Sequence, residues 1–161
     1  MSIKVDDRFQ LFEVAAWSEK GLEALLASLD LPLPQVGEIF AEAGSRVMRI
    51  TPRLAWVLAD ADTLLQWPAT DGGVIVDLSN SRLRLHIRAR AAEVLPSLVP
   101  VDLERLGPTA FVASMMHGIP VTILRAEGGF DLLVPRTFGA SLIEWIDDAT
   151  AGCPGVSRAT A

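Results

Sequence analysis

The densest group of side chains able to do chemistry is an alternating run. Arg82, Arg84, His86 and Arg88 sit two residues apart, and Arg90 follows. On a β-strand this spacing puts the first four on one face, with Leu83, Leu85 and Ile87 on the other. Guanidinium groups in a row suit bidentate pairing with carboxylates or phosphates. The stripe reads as a docking face for an acidic subunit or a polyanionic ligand. It reads equally as a solvated outer sheet face, where charge protects an edge. The remaining candidates are isolated. His117 lies in Met116-His117-Gly118-Ile119-Pro120 without an orienting partner that would make it a base, so it reads as a hairpin-turn residue. Asp77, Ser79 and His86 are triad residue types, but their spacing gives the triad no support. Cys153 has only Arg158 near it in sequence, so it reads as an inert thiol.

Several chemistries are absent. No Gly-x-Gly-x-x-Gly, Walker A or His-Glu-x-x-His motif occurs. The pairs Gly72-Gly73 and Gly128-Gly129 precede strand-like runs and read as turns, not phosphate loops. With two His, one Cys and no Tyr, no metal, cofactor or catalytic residues are expected in this chain. A net charge of −6 argues against nucleic acid and anionic membranes as partners. No apolar run approaches a bilayer span and the first ten residues hold no signal-like stretch, so a cytoplasmic protein is expected. The composition is 50% hydrophobic and 21% charged. An average soluble domain carries about 25% charged residues, so the balance points to an apolar face covered by a partner.

The elements that must position these residues follow from periodicity. Residues 8–17 read as a strand. Ser18 caps a helix over 19–29, with Leu22, Leu25, Leu26 and Leu29 on one face. Residues 35–44 read as a loop or irregular segment, and 45–51 and 54–59 as a hairpin. Asp60 or Asp62 is expected to cap a short helix through Leu64, Leu65 and Trp67, closed by Pro68. Residues 74–78 read as a strand, 79–81 as a bulge or bend, 82–88 as a strand and 90–99 as a helix shortened or kinked by Pro96. Residues 111–117 and 119–126 form a hairpin about Gly118, and 130–134 add a strand. Thr137 caps a last helix over 138–149, and the remainder reads as a disordered tail, 150–161. The order strand–helix–strand–strand–helix occurs twice, over 8–68 and 74–149. One α+β domain over 1–149 is predicted, built of duplicated units, with antiparallel sheets carrying helices on one face.

The segments Phe130–Phe138 and Ala140–Trp145 resemble the C-terminal signature of the sarcosine oxidase gamma subunit family. So do Val76–Ser79 with Arg82, Val101–Leu103, Gly118–Arg125, Val14–Trp17, Leu31–Pro34 and Thr51–Trp56, so the likeness covers about residues 9–149. It departs at Arg88-Ala89-Arg90, where the family has a Ser-Gly-Pro-like step. The resemblance implies a fold like the folate-binding T-protein of glycine cleavage. It implies a non-catalytic gamma subunit beside alpha, beta and delta chains in a heterotetrameric enzyme that oxidatively demethylates sarcosine or a related N-methyl amino acid. FAD, FMN, NAD, zinc and tetrahydrofolate, which takes the one-carbon unit, are expected on those partners. Arg82, Arg84 and Arg136 are then candidates for intersubunit salt bridges, and Trp17 and Trp145 for apolar anchors. The alternatives are a stand-alone folate or small-anion module at the stripe, and a truncated one-carbon transferase using Asp77 or Asp131.

Overall fold

Ten strands and three helices are present in the computed structural model, which describes residues 3–42 and 44–152. In chain order they are β1 (Ile3–Asp6), β2 (Phe9–Ala16), α1 (Glu19–Ala27), β3 (Ile39–Glu42), β4 (Ser45–Thr51), β5 (Leu54–Asp60) and β6 (Gly73–Asp77). There follow β7 (Arg82–Arg88), α2 (Arg90–Leu98), β8 (Phe111–Met116), β9 (Ile119–Ala126), β10 (Gly129–Pro135) and α3 (Gly139–Gly152). Most follow from local rules. The Ser18 hydroxyl accepts from the Gly21 amide at 3.0 Å, which starts α1 and turns Leu22, Leu25 and Leu26 inward. His117 and Gly118 both have positive φ, which matches the tight turn of the β8–β9 hairpin to strand twist.

The strands form two five-stranded antiparallel sheets, ordered β3-β4-β5-β2-β6 and β8-β9-β10-β7-β1. Position by position the two orders correspond, and α1 follows β2 as α2 follows β7. Each unit therefore reads strand, strand, helix, then three strands. Its leading strand crosses to close the edge of the other unit's sheet: β1 pairs with β7, and β6 with β2.

Four layers result. The α1 leucines pack with Val14, Val47, Ala55 and Val57 on the outer face of the first sheet. Helices α2 and α3 cover the outer face of the second over Leu85, Ile87, Ile123 and Leu132. Between the sheets lie Phe9, Leu11, Ile39, Met48 and Leu58 against Leu124 and Leu133. Full burial of each such aliphatic side chain contributes roughly 1.5–3 kcal/mol, so the inner layer alone binds the units firmly.

Five expectations change. The repeat is not strand–helix–strand–strand–helix over 8–68 and 74–149: each unit opens with an exchanged strand, and the first has no helix after β5. The helix through Leu64 and Trp67 is instead an irregular strap. The Gln10 side-chain amide donates to the carbonyls of Asp60, Ala61 and Thr63, oxygens that a helix would use for its own ladder. Leu65 and Trp67 still pack inward beside α1. The expected loop 35–44 contains β3, because Ile39 finds Met48 across the hairpin and buries between the sheets. Thr137 lies inside a 3-10 turn, Arg136–Phe138, rather than capping the last helix. That helix runs on through Gly152, so Thr150 to Gly152 are helical; residues 153–161, Cys153 among them, lie outside the described residues.

Candidate functional site

The arginine stripe of β7 is on the face turned toward the other sheet, with Arg84 buried and Arg82 and Arg88 partly exposed. Alternation in β7 sends Leu85 and Ile87 to the helix layer, which leaves Arg84, His86 and Arg88 on the inner face. Antiparallel register sets Asp131 of β10 directly opposite His86. Asp131 is 1% exposed. Arg84 Nε and Nη2 donate to its Oδ2 at 3.0 and 2.6 Å. Its Oδ1 lies 3.1 Å from Arg88 Nη2 and 2.9 Å from His86 Nδ1. From the first sheet, Arg46 Nη1 comes within 3.6 Å of Oδ2, so the cluster spans the two sheets. Asp6 of β1 closes it, 3.9 Å from Arg84 Nη1 and 3.6 Å from His86 Nε2.

Burial pushes the Asp131 carboxyl pKa up, but the charge and hydrogen bonds of Arg84, with those of His86, outweigh it and hold the pKa below the ordinary value. Asp131 is thus a fixed anion with both oxygens occupied. A general acid or base needs a pKa near the working pH and a free path to its substrate. This arrangement ties β1, β7 and β10 of the second sheet together, with Arg46 reaching in from the first, and does not fit proton transfer. Beside it, an open depression of about 290 Å³ has Arg46, Arg84, Glu42 and Asp60 among its lining residues.

Arg84, expected in an intersubunit salt bridge, is instead buried and paired within the chain, with Asp131 and Asp6. Arg82 lies at the outer end of the stripe, its guanidinium 5.8 Å from the Trp56 ring of the other sheet. Arg136 is exposed and donates to the carbonyls of Asn80 and Arg82. Trp17 is 67% exposed, with its indole N–H donating to the Asp71 carbonyl at 2.8 Å. Trp145 is half-buried and meets the His117 ring edge-on at 4.7 Å. The structure does not bring these five residues into one site.

The triad reading fails on geometry. Asp77 accepts from the Ser79 amide and the Ser79 hydroxyl accepts from the Leu11 amide, while His86 faces Asp131 and Asp6. Asp131 is the residue whose role sequence reasoning missed. Its signal is an aspartate inside the apolar run Phe130–Val134, on a strand that can pair with the arginine stripe. Among the described residues no group of three His, Cys, Asp or Glu side chains could hold a metal ion. No helix there is long and apolar enough to cross a membrane.

No protein-family model matches the chain, and no curated protein does. Among solved structures, a chain of the heterotetrameric sarcosine oxidase from Corynebacterium sp. U-96, in complex with pyrrole 2-carboxylate, matches with a TM-score of 0.78 at 24% identity. The match covers 96% of this chain and 87% of that one, so the two are of similar length. The chain thus shares, end to end, the fold of a similarly short chain within a heterotetrameric sarcosine oxidase.

Proposed function

We propose that this chain is a gamma-type subunit of a heterotetrameric enzyme that oxidatively demethylates sarcosine or a related N-methyl amino acid, with the one-carbon unit passed to tetrahydrofolate. The observation that carries the reading is the end-to-end fold match to a chain of similar size from such an assembly. In this reading the chain is non-catalytic. Alpha, beta and delta partners bear the flavins, NAD, zinc and folate, and this chain positions them. Two further features support it. The best-placed carboxylate, Asp131, is held ionised among fixed donors. Trp17, Leu64, Val74, Met115 and Phe138 leave apolar surface exposed. Arg82, Arg136, Trp17 and Trp145 remain the proposed contact residues.

The test is co-expression with the neighbouring genes, with an affinity tag on this chain alone. A yellow complex containing a larger flavin-bearing chain, active on an N-methyl amino acid, is expected. A colourless, monodisperse species of 17.3 kDa overturns the reading. Folate titration calorimetry then tests the stand-alone binding module.

A further inference from the structure

The two units of the fold offer a comparison between equivalent edges. β1 and β6 are the exchanged leading strands, and each is the last strand of its sheet among the described residues. β1 is guarded by charge: Lys4 and Asp6 occupy two of its four positions, and Asp6 turns onto Arg84 and His86. β6 reads Gly73-Val74-Ile75-Val76-Asp77, with no charge before its last residue. Val74 and Val76 are 47% and 40% exposed. They stand opposite Ala15 and Glu13, on the face that Leu11 shares with the inter-sheet layer, where the second sheet does not reach them.

The backbone of β6 is open in a defined register. Trp17 donates its amide to the Gly72 carbonyl and Leu78 donates to the Leu11 carbonyl. Antiparallel pairing alternates, so Gly72, Val74, Val76 and Leu78 face β2, while Gly73, Ile75 and Asp77 aim N–H and C=O outward. At the start of this edge stands Trp17, its ring oriented by the Asp71 carbonyl before any partner arrives. A pre-oriented exposed tryptophan is a strong anchor type. Asp71 and Asp77 bracket the strand with negative charge.

We propose that β6 is a docking edge for an extended apolar segment of a partner subunit, carrying basic residues at its ends, which adds as a sixth strand to the first sheet. The segment pairs with Gly73, Ile75 and Asp77, lays its side chains beside Val74 and Val76, and is held at one end by Trp17. The inference rests on the proposed subunit role.

The test uses the co-expressed assembly. Val74→Asp/Val76→Asp and, separately, Trp17→Ala are compared with the unaltered chain for retention of the flavin-bearing partners, with circular dichroism and thermal melting as folding controls. Truncating or charging an interface anchor weakens binding by roughly tenfold or more. Hydrogen exchange on the intact complex gives a readout that needs no substitution. The Ile75 and Asp77 amides are expected to slow on assembly, because strand addition protects the outward-facing donors. Unchanged exchange at those amides, or wild-type retention by the folded double variant, overturns the docking edge while leaving the subunit role standing. Failure of the unaltered chain to recover any flavin-bearing partner overturns both.

Discussion

Replacing Asp131 with Asn tests whether the buried polar cluster stabilises the second sheet. The substitution keeps shape and one acceptor oxygen but removes the charge. Arg84 is 8% exposed and its guanidinium gives two hydrogen bonds to Asp131, so it would be left buried with only the more distant Asp6 carboxylate, 3.9 Å away, as counter-charge. Removing one partner of a buried pair costs about 3–5 kcal/mol. Arg46 and Arg88 are about a third exposed and regain water, so they add little to that loss. In a chain of this size the fall in Tm is roughly 6–20 °C. The pH dependence has a definite sign. The folded pKa of Asp131 is lowered, whereas an unfolded aspartate titrates near about 3.9. The stabilisation is therefore fully present above that value and is lost as pH falls through the lower folded pKa. Urea unfolding from pH 3 to 7 should show a gap between wild type and D131N that is flat above about pH 5 and narrows in acid. The paired change Asp131→Leu with Arg84→Met should recover most of the loss, because it removes both buried charges together. A gap under about 1 kcal/mol at pH 7, or one that widens on acidification, would refute the argument.

Two further substitutions probe the backbone where it is tightest. Ala89, between β7 and α2, has φ 49° and ψ −130°, a region hostile to a Cβ. Ala89→Gly is expected to raise urea stability by about 1 kcal/mol, the strain relieved exceeding the entropy glycine adds; a loss of stability would contradict this. Gly129 begins β10 so close to β7 that an added Cβ would strike the Ile87 carbonyl oxygen. Gly129→Ala is expected to cost at least about 2 kcal/mol in the same assay, since backbone cannot give way as a side chain can; a neutral result would count against the packing.

What was legible in the sequence was local. The Ser18 cap, the leucine spacing of α1 and the period-two alternation of 82–88 each encode their element within a few residues, and each formed. What was not legible depended on distant partners. β1 and β3 are four residues long and acquire strand character only from β7 and β4. The strap over 61–72 has leucine and tryptophan spacing that suits a helix, but Gln10, fifty residues away, takes its carbonyls. Alternation showed that Arg84, His86 and Arg88 share a face, yet period two cannot say whether that face meets water or protein. Deciding it required pairing the stripe with Asp131, a residue 47 positions from Arg84.

The exchange of leading strands explains why charge sits where it does. Both units must close their sheets with a strand borrowed from the other, so the fold makes the same demand of β1 and of β6. β1 answers with Asp6, which joins the polar cluster and spends its charge inside the chain. At the corresponding edge of the first sheet Val76 lies opposite Glu13, whose carboxylate is taken by Trp56 Nε1 at 2.9 Å, and the valine stays 40% exposed. Folding alone gives no reason for that difference, because a charged residue at a half-exposed edge position costs little and guards against unwanted pairing. An apolar edge kept where a guarded one would fold equally well is the composition expected of a strand that is covered in use.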